Sequence, residues 1–77
     1  MTMEQIDFFL MTVRCDTFLE AAENLHIAQS TLSKQIQKLE SELNLTLFDR
    51  TRRQAVLTPA GELFCQEASE LSRQYHQ

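Results

Sequence analysis

The chain predicts a mainly α fold in which three short helices surround one core, a two-stranded wing follows, and a long fourth helix leaves the domain. Three observations carry that expectation: apolar residues at helical spacing in three successive segments, an apolar stretch interrupted by arginines, and a Thr-Pro helix start leading a further stripe.

The first segment places Ile6, Phe9, Leu10 and Val13 on one face, the second Phe18, Ala21, Ala22 and Leu25, and the third Leu32, Ile36, Leu39 and Leu43. Each is a helix with a single buried stripe. Thr2 with Gln5, and Thr17 with Glu20, have the spacing of a capping box, whose side chains satisfy the unpaired amides of a first turn. The small pair Ala21 and Ala22 lets the second helix approach its neighbours closely, and residues 18–37, FLEAAENLHIAQSTLSKQIQ, form two helices split by a brief break. That is the plan of a helix-turn-helix. Over about 46–57, Leu47 and Phe48 lead in, Arg50, Thr51, Arg52 and Arg53 form the tip, and Val56 and Leu57 return, a two-stranded wing by pattern. No Asn-Gly or Asp-Gly fixes its register.

Thr58 supplies an N-cap hydroxyl and Pro59 a residue whose missing amide proton costs nothing at the first helical position. Residues 1–58 are therefore read as a winged helix-turn-helix domain and 59–77 as a linker helix. Ala60, Phe64, Ala68, Leu71 and Tyr75 recur at the mixed spacing of a coiled-coil seam. At roughly 1.5 Å per residue this helix would reach about 28 Å, longer than so small a core can cover. These five residues are the expected dimer interface, with folding back onto the domain confined chiefly to the first two turns.

Seventy-seven residues suffice for one small core. The net charge of −4 has the wrong sign for a phosphate binder, but its distribution does not: residues 34–53 hold five bases (Lys34, Lys38, Arg50, Arg52, Arg53) against three acids (Glu40, Glu42, Asp49), a local +2. A basic window in an acidic frame steers DNA to one surface and repels it elsewhere. No apolar run is long enough to span a membrane and no secretory leader pattern is present, so a cytoplasmic protein is expected. Cys15 and Cys65 lie 50 positions apart, with no metal-type spacing, and are read as reduced, partly buried thiols. No Ser/His/Asp, Cys/His or paired-carboxylate set converges, and His26 and His76 fall in a turn and at the chain end. No enzyme activity, metal or cofactor is expected.

The side of the third helix opposite its apolar stripe presents Ser30, Ser33, Lys34, Gln37, Lys38 and Ser41, with no carboxylate before Glu40. Such a face can lie against phosphates. Gln29, Ser30, Thr31 and Ser33 are short or planar hydrogen-bonding groups suited to base edges, and the helix start favours a phosphate. Lys34 and Lys38 extend along the groove wall. Arg52 and Arg53 suit a narrowed minor groove, where negative potential concentrates. Arg50 follows Phe48 by two positions and has two open readings, a DNA contact or a partner for a carboxylate inside the domain. A protein-interaction module on the same scaffold is the alternative function, and it would place apolar residues where this helix has Ser, Gln and Lys.

With these residues in view, the chain resembles the N-terminal DNA-binding domain of the LysR-type transcriptional regulators. The pattern reads AAENLHIAQSTLSKQIQKLESELNLTLFDR and then TRRQAVLTPAG, and the likeness runs without a gap from about Ile6 through Gly61. The resemblance implies a bacterial, sequence-specific binder of double-stranded DNA that dimerises through a linker helix starting near Pro59 and sits on an interrupted palindrome. It also implies base or phosphate contacts at Gln29, Ser30, Thr31, Ser33, Lys34 and the wing arginines. Two usual glycines are replaced by Asp16 and Asn44, which tolerate left-handed backbone better than most residues. Ala28 stands where a serine usually caps the recognition helix, so either Ser30 takes over the cap or the first turn frays. Family members continue into a domain that senses a small-molecule effector, and since the last helix ends on Tyr75-His76-Gln77 with no capping glycine, the chain is read as a fragment lacking it.

Overall fold

The computed structural model describes residues 1–76, which form four helices: α1 (Met3–Arg14), α2 (Phe18–Leu25), α3 (Gln29–Leu43) and α4 (Pro59–Tyr75). The capping signals locate their starts. Thr2 and Gln5 complete a reciprocal capping box on α1. At α2 the Thr17 hydroxyl accepts from the Glu20 amide, while the Glu20 carboxylate reaches one residue further back to the Asp16 amide at 3.3 Å. Thr58 begins α4 by accepting from the Gly61 amide at 2.9 Å and donating to the Thr46 carbonyl at 2.5 Å.

The left-handed turns fall at His26 (φ 59°) and Asn44 (φ 54°), not at Asp16. Each ends a helix in the same way. The His26 and Ile27 amides turn back to Glu23 and Ala22, and the Asn44 and Leu45 amides turn back to Ser41 and Glu40, so the last carbonyls of α2 and α3 are satisfied. Asp16 instead joins α1 to α2, and its carbonyl accepts from the Ala55 amide at 2.8 Å. That bond ties the distant loop to the helix-turn-helix.

Ile6, Phe9, Ala21, Ala22, Leu32, Ile36, Leu39, Leu47 and Phe48 are buried together, so all three expected stripes meet in one core. Its centre is aromatic: Phe9 packs against Phe48 and Phe64 at ring-centroid distances of 5.5 and 5.2 Å, and Phe18 meets Phe48 edge-on at 5.1 Å. Edge contacts of this kind fix angles between elements as well as burying area.

The expected pair of strands over 46–57 contracts to one antiparallel bridge between Phe48 and Leu57. Backbone bonds Asp49 to Val56 (2.8 Å) and Thr58 to Leu47 (2.9 Å) frame that bridge. The Asp49 carbonyl then accepts from the Arg52 amide at 3.4 Å, closing a turn where a longer ladder would have continued.

Helix α4 folds back along α1 further than its apolar spacing suggests. Ala68 is 1% exposed, and beyond it the Ser72 hydroxyl donates to Asp7 at 3.2 Å while the His76 ring nitrogen lies 3.1 Å from the same carboxylate. Ala68 is thus spent inside its own domain, and Phe64 is half-buried against Phe9. The reason is size: a small residue permits close helix approach, and polar partners one and two turns on hold it. The large apolar side chains that α4 leaves exposed are Leu71 and Tyr75, with Leu63, a leucine that the seam spacing passes over, while Ala60 is half-buried. Among the described residues no helix is long and apolar enough to cross a membrane.

Candidate nucleic-acid interface

Helix α3 is amphipathic in fact as in pattern. Leu32, Ile36 and Leu39 are fully buried, whereas Gln29, Ser30, Thr31, Lys34, Gln37, Lys38 and Ser41 are exposed and Ser33 is half-buried. Ala28 occupies the N-cap in extended conformation and makes no side-chain cap. Neither expected remedy occurs: the helix starts at Gln29 without fraying, because the Thr31 and Leu32 amides both reach the Ala28 carbonyl at 3.1 Å. The backbone at Gln29 is therefore placed by main-chain bonds alone.

A cleft separates the start of α3 from the arginine loop. Gln29 and Ser33 of α3, Asp49, Arg50, Arg52, Arg53 and Gln54 of the loop, and Thr17, Phe18 and Leu19 at the α2 start line it. Five of the nine expected contact residues, Gln29, Ser33, Arg50, Arg52 and Arg53, line it, and Ser30 and Thr31 lie between the first two of them on the first turn of α3. Lys34 and Lys38 stand farther along α3, on a separate stretch of its surface beside Gln37 and Ser41.

Carboxylates near this surface are engaged. Glu40, on the last turns of α3, accepts from the Leu47 amide at 2.7 Å, from the Phe48 amide at 3.3 Å and from the Arg50 guanidinium at 3.0 Å. It is the bracket that sets the loop against α3, and sequence reasoning assigned it no role. The signal available was its place one residue after the buried Leu39, which directs it toward the flank that meets the following chain. Asp49 accepts from the Thr51 amide at 3.0 Å and the Thr51 hydroxyl at 2.5 Å, with Arg52 3.7 Å away. These hydrogen bonds, and then the nearby guanidinium, lower the Asp49 carboxyl below its ordinary 3.8.

The three arginines differ in their attachments. Arg50 pairs with Glu40 and lies over the Phe18 ring at 4.8 Å, which favours the intradomain reading of its role. Arg52 has only the long contact to Asp49, and its side chain is 64% exposed. Arg53 is exposed as well. Gly61 completes the scaffold: a Cβ there would lie 2.1 Å from the Leu47 carbonyl oxygen, so only glycine lets α4 begin against the loop.

Residues 3–62 match the family model described as bacterial regulatory helix-turn-helix protein, lysR family. An uncharacterized HTH-type transcriptional regulator of Bacillus subtilis, YcgK, is 44% identical over 73 residues, 95% of this chain and 22% of that protein. A probable RuBisCO transcriptional regulator of Cyanidioschyzon merolae is 44% identical over 70 residues, 91% of this chain and 23% of its own length. The chain thus spans under a quarter of these two curated relatives. Among solved structures, the BenM_DBD/catB site 1 DNA complex superposes with a TM-score of 0.95 at 39% identity, covering all of this chain and 83% of that one. Full-length CbnR complexed with its target DNA gives 0.92 at 29% identity, covering 99% and 26%.

Proposed function

The chain belongs to the lysR family of bacterial regulatory helix-turn-helix proteins, and from that premise we propose that it is the sequence-reading part of a cytoplasmic transcriptional regulator that binds double-stranded DNA. One observation carries the reading: Gln29 and Ser33 share a cleft with Arg52 and Arg53, and the one acid on that cleft, Asp49, is occupied by Thr51 and Arg52. A duplex seated there meets donors and guanidinium groups without an unpaired carboxylate. The superposed BenM and CbnR structures are complexes with DNA, which supports the reading.

In this reading α3 enters the major groove. Gln29, Ser30, Thr31 and Ser33 face base edges and the nearest phosphate, and Lys34 and Lys38 run along the backbone. Residues 46–57 act as the wing, carrying Arg52 and Arg53 to the adjacent minor groove. Arg50 supports the wing from within the domain. Helix α4 is the linker, and two copies pair through its exposed flank of Leu63, Leu71 and Tyr75, setting the spacing of two half-sites on an interrupted palindrome. A small-molecule effector would act through a domain outside these residues.

Selection of preferred duplexes from a random pool, repeated with Gln29→Ala and Ser33→Ala, tests the reading. Each substitution should relax preference at one half-site position. A uniform loss over all sequences would make these residues backbone contacts, and failure of the unaltered protein to enrich any duplex would end the proposal.

A further inference from the structure

Large apolar side chains exposed on this chain fall into two places. Met1, Leu45, Leu63, Leu71 and Tyr75 lie at the start of the chain, on the turn after α3 or on α4. Leu19 stands apart, 54% exposed on the first turn of α2, at the cleft that holds Gln29, Ser33, Arg52 and Arg53. The other side chains lining that cleft are polar or charged, apart from Phe18, which lies under the Arg50 guanidinium. A leucine among hydrogen-bonding groups cannot read donors or acceptors. It can recognise the single apolar group that base edges display in the major groove, the 5-methyl of thymine.

Taking the DNA-binding reading as its basis, we infer that Leu19 is a specificity-determining contact whose isobutyl group packs on a thymine methyl at the edge of each half-site. Nothing in the core depends on Leu19, since the buried face of α2 is Ala21 and Ala22. Its side chain is therefore free to be chosen for what it touches outside. Helix α3 supplies polar readout over the centre of the half-site, and α2 adds an apolar reading at its margin.

The test uses the duplex selected by the protein, with each thymine replaced in turn by deoxyuridine, which removes the methyl and leaves every hydrogen-bonding group in place. The unaltered protein should lose about fourfold in affinity at one position in each half-site, the two forming a symmetric pair, the factor expected for burying one methyl-sized group. Leu19→Ala should bind the thymine and deoxyuridine duplexes equally, with an unchanged thermal transition, and Leu19→Met should restore discrimination. Insensitivity of the unaltered protein to every deoxyuridine, or the same sensitivity in Leu19→Ala, overturns the inference while leaving DNA binding intact. Failure to select any duplex removes the underlying reading and the inference with it.

Discussion

The root and the tip of the loop between α3 and α4 are built on opposite principles. At the root, Glu40, Arg50, Thr58 and Gly61 are each committed to a neighbour at hydrogen-bond distance or closer approach. At the tip, Arg52 and Arg53 are exposed, and only a local turn around Asp49 orders them. Under the proposed function, the difference assigns position in space and contact with DNA to separate residues of one short segment. Substitutions at the root should therefore change stability, and substitutions at the tip should change affinity.

Gly61→Ala should give the largest effect. The new methyl meets the Leu47 carbonyl, which is itself bonded to the Thr58 amide, so relief requires moving α4 off the loop. A loss of about 3 kcal/mol in denaturant unfolding is expected, and a loss below about 0.5 kcal/mol would show that the root is loose. Glu40→Ala comes next, because it leaves two amides and a guanidinium without their acceptor. About 2 kcal/mol is expected, with Glu40→Gln recovering part of it by keeping one oxygen.

Arginine substitutions sharpen the contrast. Arg53→Ala should leave the unfolding midpoint unchanged while lowering the slope of log affinity against log salt by about one unit, as expected for one phosphate contact. Arg50→Ala should do the reverse, costing about 1 kcal/mol of stability through its ion pair and ring contact with little change in salt slope. Identical behaviour of the two variants would erase the distinction between root and tip.

How far the sequence disclosed these roles follows from the kind of interaction involved. Helix starts were legible because Thr2, Thr17 and Thr58 each act on the amide three residues on, and the core was legible because Phe9, Leu32 and Ile36 are large and regularly spaced. The arginine cleft was legible in composition. The fold-back of α4 was not, since it depends on the smallness of Ala68 and on polar bonds from Ser72 and His76 to a residue more than sixty positions earlier. The bracing role of Glu40 escaped notice because a charge on a helix says nothing of its partner until the following chain returns. Left-handed backbone fell at His26 where Asp16 was expected, since the cap is set by where α2 must stop to present α3.

The smallest effect concerns the tip turn. The Asp49 carboxyl is held below its ordinary 3.8 by Thr51 and Arg52, so the turn's contribution to order is complete above that value. It should be lost only as pH falls through the lowered value. The Thr51 amide resonance should titrate with a midpoint under 3.8, and Asp49→Asn should abolish the titration. A midpoint at or above 3.8 would mean the turn is open in solution.

The most direct test of the whole account is a titration of the isotope-labelled protein with its selected duplex, read by amide chemical shifts. Changes concentrated on residues 17–19, 29–38 and 52–54, with the Leu63 and Tyr75 flank of α4 little affected, are the predicted result. Changes centred on α4, with the start of α3 and the arginine tip unmoved, would contradict it.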